Sequence, residues 1–149
     1  MLTMSINKNG FENLPILSHI QDNLYVGVSP AYWPAGEINF FSTVFNLFVF
    51  EEYLLVKGQI RHDIRMYDDN SFLNRDALEK IARQVVAAYK AGPTLVHCQM
   101  GINRSNLIAG LALIQDKMPA NDAILLLRAK RSEYALTNPV FEAFLRTYP

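Results

Sequence analysis

The 149-residue chain has one cysteine, and its 14 Lys and Arg balance its 14 Asp and Glu. A lone cysteine rules out an intrachain disulfide, so a reducing setting, the cytoplasm, is expected. Without a basic excess, nucleic acid is not the first choice of partner. No apolar run approaches the roughly 18 residues that span a bilayer. The amino end has no basic segment followed by an apolar signal core. No membrane partner is therefore expected. Internal repeats and low-complexity linkers are also missing. Half of the residues are apolar, and a chain of this length buries about two-thirds of its unfolded surface. The expectation is one domain over residues 1–149, with residues 1–18 as an irregular lead-in. Nothing in the sequence specifies an oligomeric state.

The cysteine sits in the stretch Thr94-Leu95-Val96-His97-Cys98-Gln99-Met100-Gly101-Ile102-Asn103-Arg104-Ser105. The apolar run before it reads as a buried strand. The segment Leu107 to Ile114, apolar all round, reads as a buried helix. A loop from a strand's carboxyl end to a helix's amino end gathers backbone N–H groups around one point, where the helix dipole also favours an anion. A free thiol has a pKa of about 8.5, and at such a place, near a cation, it falls. Cys98 is thus a candidate thiolate nucleophile. Arg104 carries a fixed charge and a planar fork suited to two oxygens of one phosphate. Gly101 permits positive φ or a close backbone approach. Ser105 is placed to donate to the sulfur, and His97 to orient the loop from behind. Taken singly, each residue has a plainer reading: a buried apolar cysteine, a core histidine, an ordinary helix start. The combination at this spacing outweighs those readings.

Along the rest of the chain, Leu24-Tyr25-Val26 reads as a short strand stopped by Gly27, and Trp33 as a core-packed corner. Residues Phe40 to Phe50 read as a buried strand and its exit. The phenylalanines beyond Asn46 either pack in the core, the favoured reading, or line a substrate groove. A short helix is expected over Glu51 to Lys57, then a strand over Gln59 to Arg65 near an edge. Asn74 is the expected N-cap of a helix with Leu73 and Leu78 as a hydrophobic staple. Its apolar stripe is Leu78, Ile81, Val85 and Ala88, and Gly92-Pro93 stops it. Pro119 suits the first turn of another helix, near whose end Arg128, Lys130 and Arg131 either complement the dipole, the favoured role, or attract an acidic substrate. A final helix is expected from Asn138-Pro139 to Thr147, with Phe141, Phe144 and Leu145 inward. The alternation predicts an α/β architecture: a central, mainly parallel sheet of four to five strands flanked by helices on both faces, with the site at the strands' carboxyl ends.

Val-His-Cys, five residues, then Arg-Ser resembles the signature of the cysteine-dependent phosphatases, and within them the small dual-specificity protein phosphatases. The resemblance spans about residues 18 to 148. It includes Ile20 to Gly27 as the opening strand, Val44 to Leu47 as the next, Ile64 to Asp68, and Asn138-Pro139-Val140-Phe141 with Leu145. It implies a cysteinyl-phosphate mechanism on phosphorylated proteins or peptides, at phosphotyrosine and phosphoserine/threonine. The implied catalytic residues are Cys98, Arg104, Asp68 and Ser105, with phosphate on Gln99, Met100, Gly101, Ile102, Asn103 and Arg104. The general acid matches Asp68, with Asp69 as the competitor. No metal or other cofactor is expected, because the cation and loop dipoles supply the charge. The alternatives are an RNA 5′-triphosphatase, a phosphoinositide phosphatase, or a phosphate-binding module without turnover. The uncharged residues between Cys98 and Arg104 weigh against a highly charged lipid headgroup.

Overall fold

The computed structural model describes residues 5–8, 11–69 and 74–148. Its strands are β1 (Ser5–Lys8), β2 (Phe11–Pro15), β3 (Leu17–Gln21), β4 (Leu24–Gly27), β5 (Thr43–Asn46), β6 (Ile60–Asp63) and β7 (Thr94–His97). Its helices are α1 (Arg75–Ala91), α2 (Arg104–Gln115), α3 (Ala120–Lys130) and α4 (Pro139–Thr147). β1 and β2 pair with each other, and the other strands form one sheet in the order β3-β4-β7-β5-β6. Only β3 runs antiparallel to its neighbour in that sheet.

The central strand β7 is buried at every position, as a parallel strand covered on both faces must be. Alternation divides the core in two. Val26, Val96 and Phe45 face one cluster, which holds the apolar faces of all four α-helices. Leu95 and Val44 face the other, formed with Leu14, Ile16, Trp33, Ile38 and Phe41. Two short 3-10 helices, Pro30–Tyr32 and Glu37–Phe40, help to cover that second face. α2 is buried over every residue from Arg104 to Leu113. A helix enclosed on all sides cannot swing its amino end away from the sheet.

Several local expectations hold. Asn74 caps α1, its side chain accepting from Ala77 N–H at 3.0 Å, and Asn138 caps α4 through Val140 and Phe141. Leu73 of the expected staple lies outside the described residues. Gly92 ends α1 in extended geometry, and a Cβ there would lie 2.7 Å from Ser42 Oγ, which would have to rotate away. Among the described residues no helix is long and apolar enough to cross a membrane.

Three expectations need correction. The lead-in is not irregular where it is described: it supplies β1, β2 and the start of β3. Glu51 to Lys57 forms no helix. Tyr53 and Leu55 pack on the second core cluster, while Leu54 between them is 91% exposed. That alternation is the habit of extended chain and buries two side chains a helix would separate. The aromatic stretch is a strand only over β5. Beyond it Phe48 is half-buried and Phe50 is 56% exposed, so core packing does not account for both.

Candidate active site

The loop from Cys98 to Asn103 leaves β7 and enters α2. Cys98 is 2% exposed and lines a cavity of about 160 Å³ with Asp68, Gln99, Met100, Ile102, Asn103 and Arg104. Its Sγ lies 3.3 Å from Ser105 Oγ, and the backbone N–H groups of Ser105 and Gly101 also donate to it. Burial by itself pushes the thiol pKa up. The Arg104 charge, the Ser105 hydroxyl and the two N–H groups oppose burial and prevail, so the thiol lies below its ordinary value.

Arg104 is held from two sides. Its Nη1 donates to Met66 O at 3.3 Å, and its guanidinium sits 5.2 Å from the Phe48 ring centroid. Its Nε is buried and has no hydrogen-bond partner among the described residues. An unmatched buried donor costs of order 1–3 kcal/mol, more when charged. An oxyanion in the adjacent cavity would satisfy it.

Asp68 lines the same cavity as Cys98, and Asp69 does not. The Asp68 carboxylate is clamped by two amides: Asn103 Nδ2 donates to one oxygen at 2.9 Å and Asn138 Nδ2 to the other at 3.0 Å. Asn103 Oδ1 accepts from Asn138 N–H at 2.8 Å and from Thr137 Oγ1 at 3.3 Å. The residue before Arg104 therefore ties the loop, the Asp68 segment and the start of α4 together. Gly101 has φ +70°. A Cβ there would lie 2.6 Å from Gly27 O and 2.9 Å from Arg131 Nε, so glycine is required twice over.

The family profile described as Dual specificity phosphatase, catalytic domain, matches residues 24–149. The chain belongs to the dual specificity phosphatases. These are protein phosphatases, hydrolases of phosphorylated substrates. The solved structure of human DUSP28 is 21% identical, with a TM-score of 0.78 over 90% of this chain and 93% of that one. A human tyrosine phosphatase-like serine/threonine/tyrosine-interacting protein is 17% identical, with a TM-score of 0.71 over 89% and 94%. DUSP15 is 18% identical, with a TM-score of 0.68 over 89% and 86%. At these identities the likeness is one of fold. A comparison with curated proteins finds no match.

In this dual specificity phosphatase, Arg128 and Lys130 lie in the last turn of α3, where the dipole favours cations, whereas Arg131 just beyond it is a buried support. Arg131 is 2% exposed. Its Nε donates to Gly101 O at 3.0 Å and its Nη2 to Met100 O at 2.9 Å. Its Nη1 reaches Pro15 O and Ser18 Oγ. Burial lowers its pKa to about 10, and it stays cationic at neutral pH. Arg131 thereby fixes two loop carbonyls, one of them that of Gly101, whose N–H donates to the Cys98 sulfur. Arg128 bonds Ala135 O, Leu136 O and Glu142. Asn106, not singled out from the sequence, donates to Gly101 O at 2.9 Å and Ile102 O at 2.8 Å. Met100 and Ile102 bury their side chains in the second core cluster. Among the described residues no group of three or more His, Cys, Asp and Glu is placed to hold a metal ion.

His97 does stand behind the loop. Its Nδ1 is 3.0 Å from Cys98 O, which can only accept, so Nδ1 carries the proton. Its Nε2, 2.6 Å from the Tyr53 hydroxyl, then accepts. Tyr53 belongs to the segment mistaken for a helix, and no sequence spacing links it to His97. Burial drives the His97 pKa down to about 4. The unfolded chain takes up this proton near pH 6.5 and the folded chain only near 4. The stability held by neutral His97 is thus complete above 6.5 and is lost as the pH falls toward 4, by up to about 3 kcal/mol. In urea unfolding at pH 7 and pH 4.5, wild type should lose about 2 kcal/mol more than His97→Asn. Equal losses would mean that His97 is not buried neutral.

Proposed function

We propose that this phosphatase acts through a cysteinyl-phosphate intermediate in a reducing, cytoplasmic setting, on phosphotyrosine and phosphoserine/threonine of proteins. Residues 1–149 are read as one catalytic unit. The observation that carries this reading is the buried Nε of Arg104, unpartnered among the described residues, beside a thiol of lowered pKa in one cavity. The substrate dianion docks on the backbone N–H groups of Gln99 to Arg104 and on the Arg104 fork. Cys98 thiolate attacks phosphorus as the bond to the leaving oxygen breaks, and Asp68 gives that oxygen its proton. Water then attacks the phosphorus–sulfur bond and passes a proton to Asp68. Phosphate leaves, and Ser105 donates to the departing thiolate. Asn103 and Asn138 hold Asp68 over the cavity throughout.

Phosphate release from phosphopeptides and from triphosphate-ended RNA tests the substrate class. Release from peptides alone is expected. Release from RNA alone would move the chain to the RNA 5′-triphosphatase reading, and tight peptide binding without release would make it a binding module. Asp68→Asn tests the acid. A general acid matters most for a poor leaving group, so kcat should fall about 10²-fold on an alkyl phosphate and far less on para-nitrophenyl phosphate. Equal falls on both would remove Asp68 from proton transfer.

A further inference from the structure

An aromatic arc starts at Arg104, which lines the cavity. Phe48 lies against the Arg104 guanidinium at 5.2 Å. Phe50 packs edge-on to Phe48, with ring centroids 5.3 Å apart. Tyr67 follows at 6.5 Å from Phe50 and immediately precedes Asp68 in the chain. The arc therefore runs from the proposed phosphate-gripping residue to the proposed proton donor. Arg65 steadies its outer side, 5.5 Å over the Phe50 ring and 3.5 Å from the Tyr67 hydroxyl. Phe50 and Tyr67 are nevertheless 56% and 51% exposed. Large apolar rings left in solvent beside a site are a surface waiting to be covered.

The ester side of the phosphate decides what can cover them. An aryl phosphate carries a ring directly on its bridging oxygen. A seryl or threonyl phosphate carries a short aliphatic link there and then peptide backbone. A ring gains from edge-on or offset contact with other rings beyond the area it buries, and an aliphatic link does not. Resting on the phosphatase reading above, we infer that Phe50 and Tyr67, backed by Phe48, form a ring-binding rim that biases this enzyme toward phosphotyrosine over phosphoserine/threonine.

The test uses two peptides identical except for phosphotyrosine or phosphothreonine at one position, with kcat/KM measured on each. Wild type should favour the phosphotyrosine peptide. In Phe50→Ala the ratio of the two values should fall about tenfold, the equivalent of about 1.4 kcal/mol, and Phe50→Tyr should restore it. Tyr67→Leu should lower the ratio in the same direction. Because Phe50 is exposed, its variants are expected to fold, and unchanged thermal melting checks this. Should both peptides be hydrolysed with a ratio that neither variant changes, the rim is overturned while the phosphatase reading stands. Should wild type release phosphate from neither peptide, both fall together.

Discussion

Cys98→Ser should lower kcat on an aryl phosphate by at least about 10⁴-fold, the scale on which loss of a nucleophile is felt. The replacement keeps shape and loses ionisation. The Arg104 charge, the Ser105 hydroxyl and the two backbone N–H groups overcome burial for a thiol. A serine hydroxyl starts several pKa units higher, and the same field cannot ionise it. The cavity and its donors remain, so the variant should still bind phosphate. A second readout follows from the direction of the thiol's shift. Iodoacetamide should alkylate wild-type Cys98 at a pH where an ordinary thiol reacts slowly, and saturating phosphate should protect it. Near-wild-type turnover by the serine variant, or alkylation that begins only in the ordinary thiol range, would remove Cys98 as nucleophile.

Arg104→Lys comes second in size, with kcat/KM expected to fall about 10²- to 10³-fold although the charge is kept. The guanidinium is locked by Met66 O and the Phe48 ring, with its Nε unpartnered among the described residues. An ammonium group cannot reproduce a planar fork and has no Nε to offer. Arg104→Met goes further, because it also removes the strongest influence that holds the thiol down. Burial would then dominate, and the alkaline rise of kcat/KM should move to higher pH. The pH–rate profiles of the three proteins separate the two contributions. Lys should weaken binding with the profile nearly in place, and Met should shift it. Values within threefold of wild type for both variants would show that the unpartnered donor is not where phosphate binds.

Much of this was legible in the sequence because it is local. The spacing Cys98, five residues, Arg104, Ser105 sets a loop between strand and helix, since the apolar runs on either side of it mark β7 and α2. Gly101 at φ +70° and the bond from Ser105 to the sulfur followed from position alone. Asp68 and Asp69 differ by one position in the chain; Asp68 lines the Cys98 cavity and is held by Asn103 and Asn138. Those amides lie 35 and 70 residues away, beyond any periodicity.

What the sequence determined, then, was the strand–loop–helix that carries Cys98, Arg104 and Ser105 and the α/β layering, because both rest on short-range patterns: hydrophobic period, turn residues and helix ends. Tertiary structure alone decided the supports. Arg131 looked like a helix-end cation and is instead a buried brace on the Met100 and Gly101 carbonyls. Tyr53 looked helical and is extended, with its hydroxyl on His97. Phe50 looked like core and stands in solvent, its ring edge-on to Phe48. A side chain's fate depends on which distant backbone group or ring arrives next to it, and that arrival is set by packing of the whole chain.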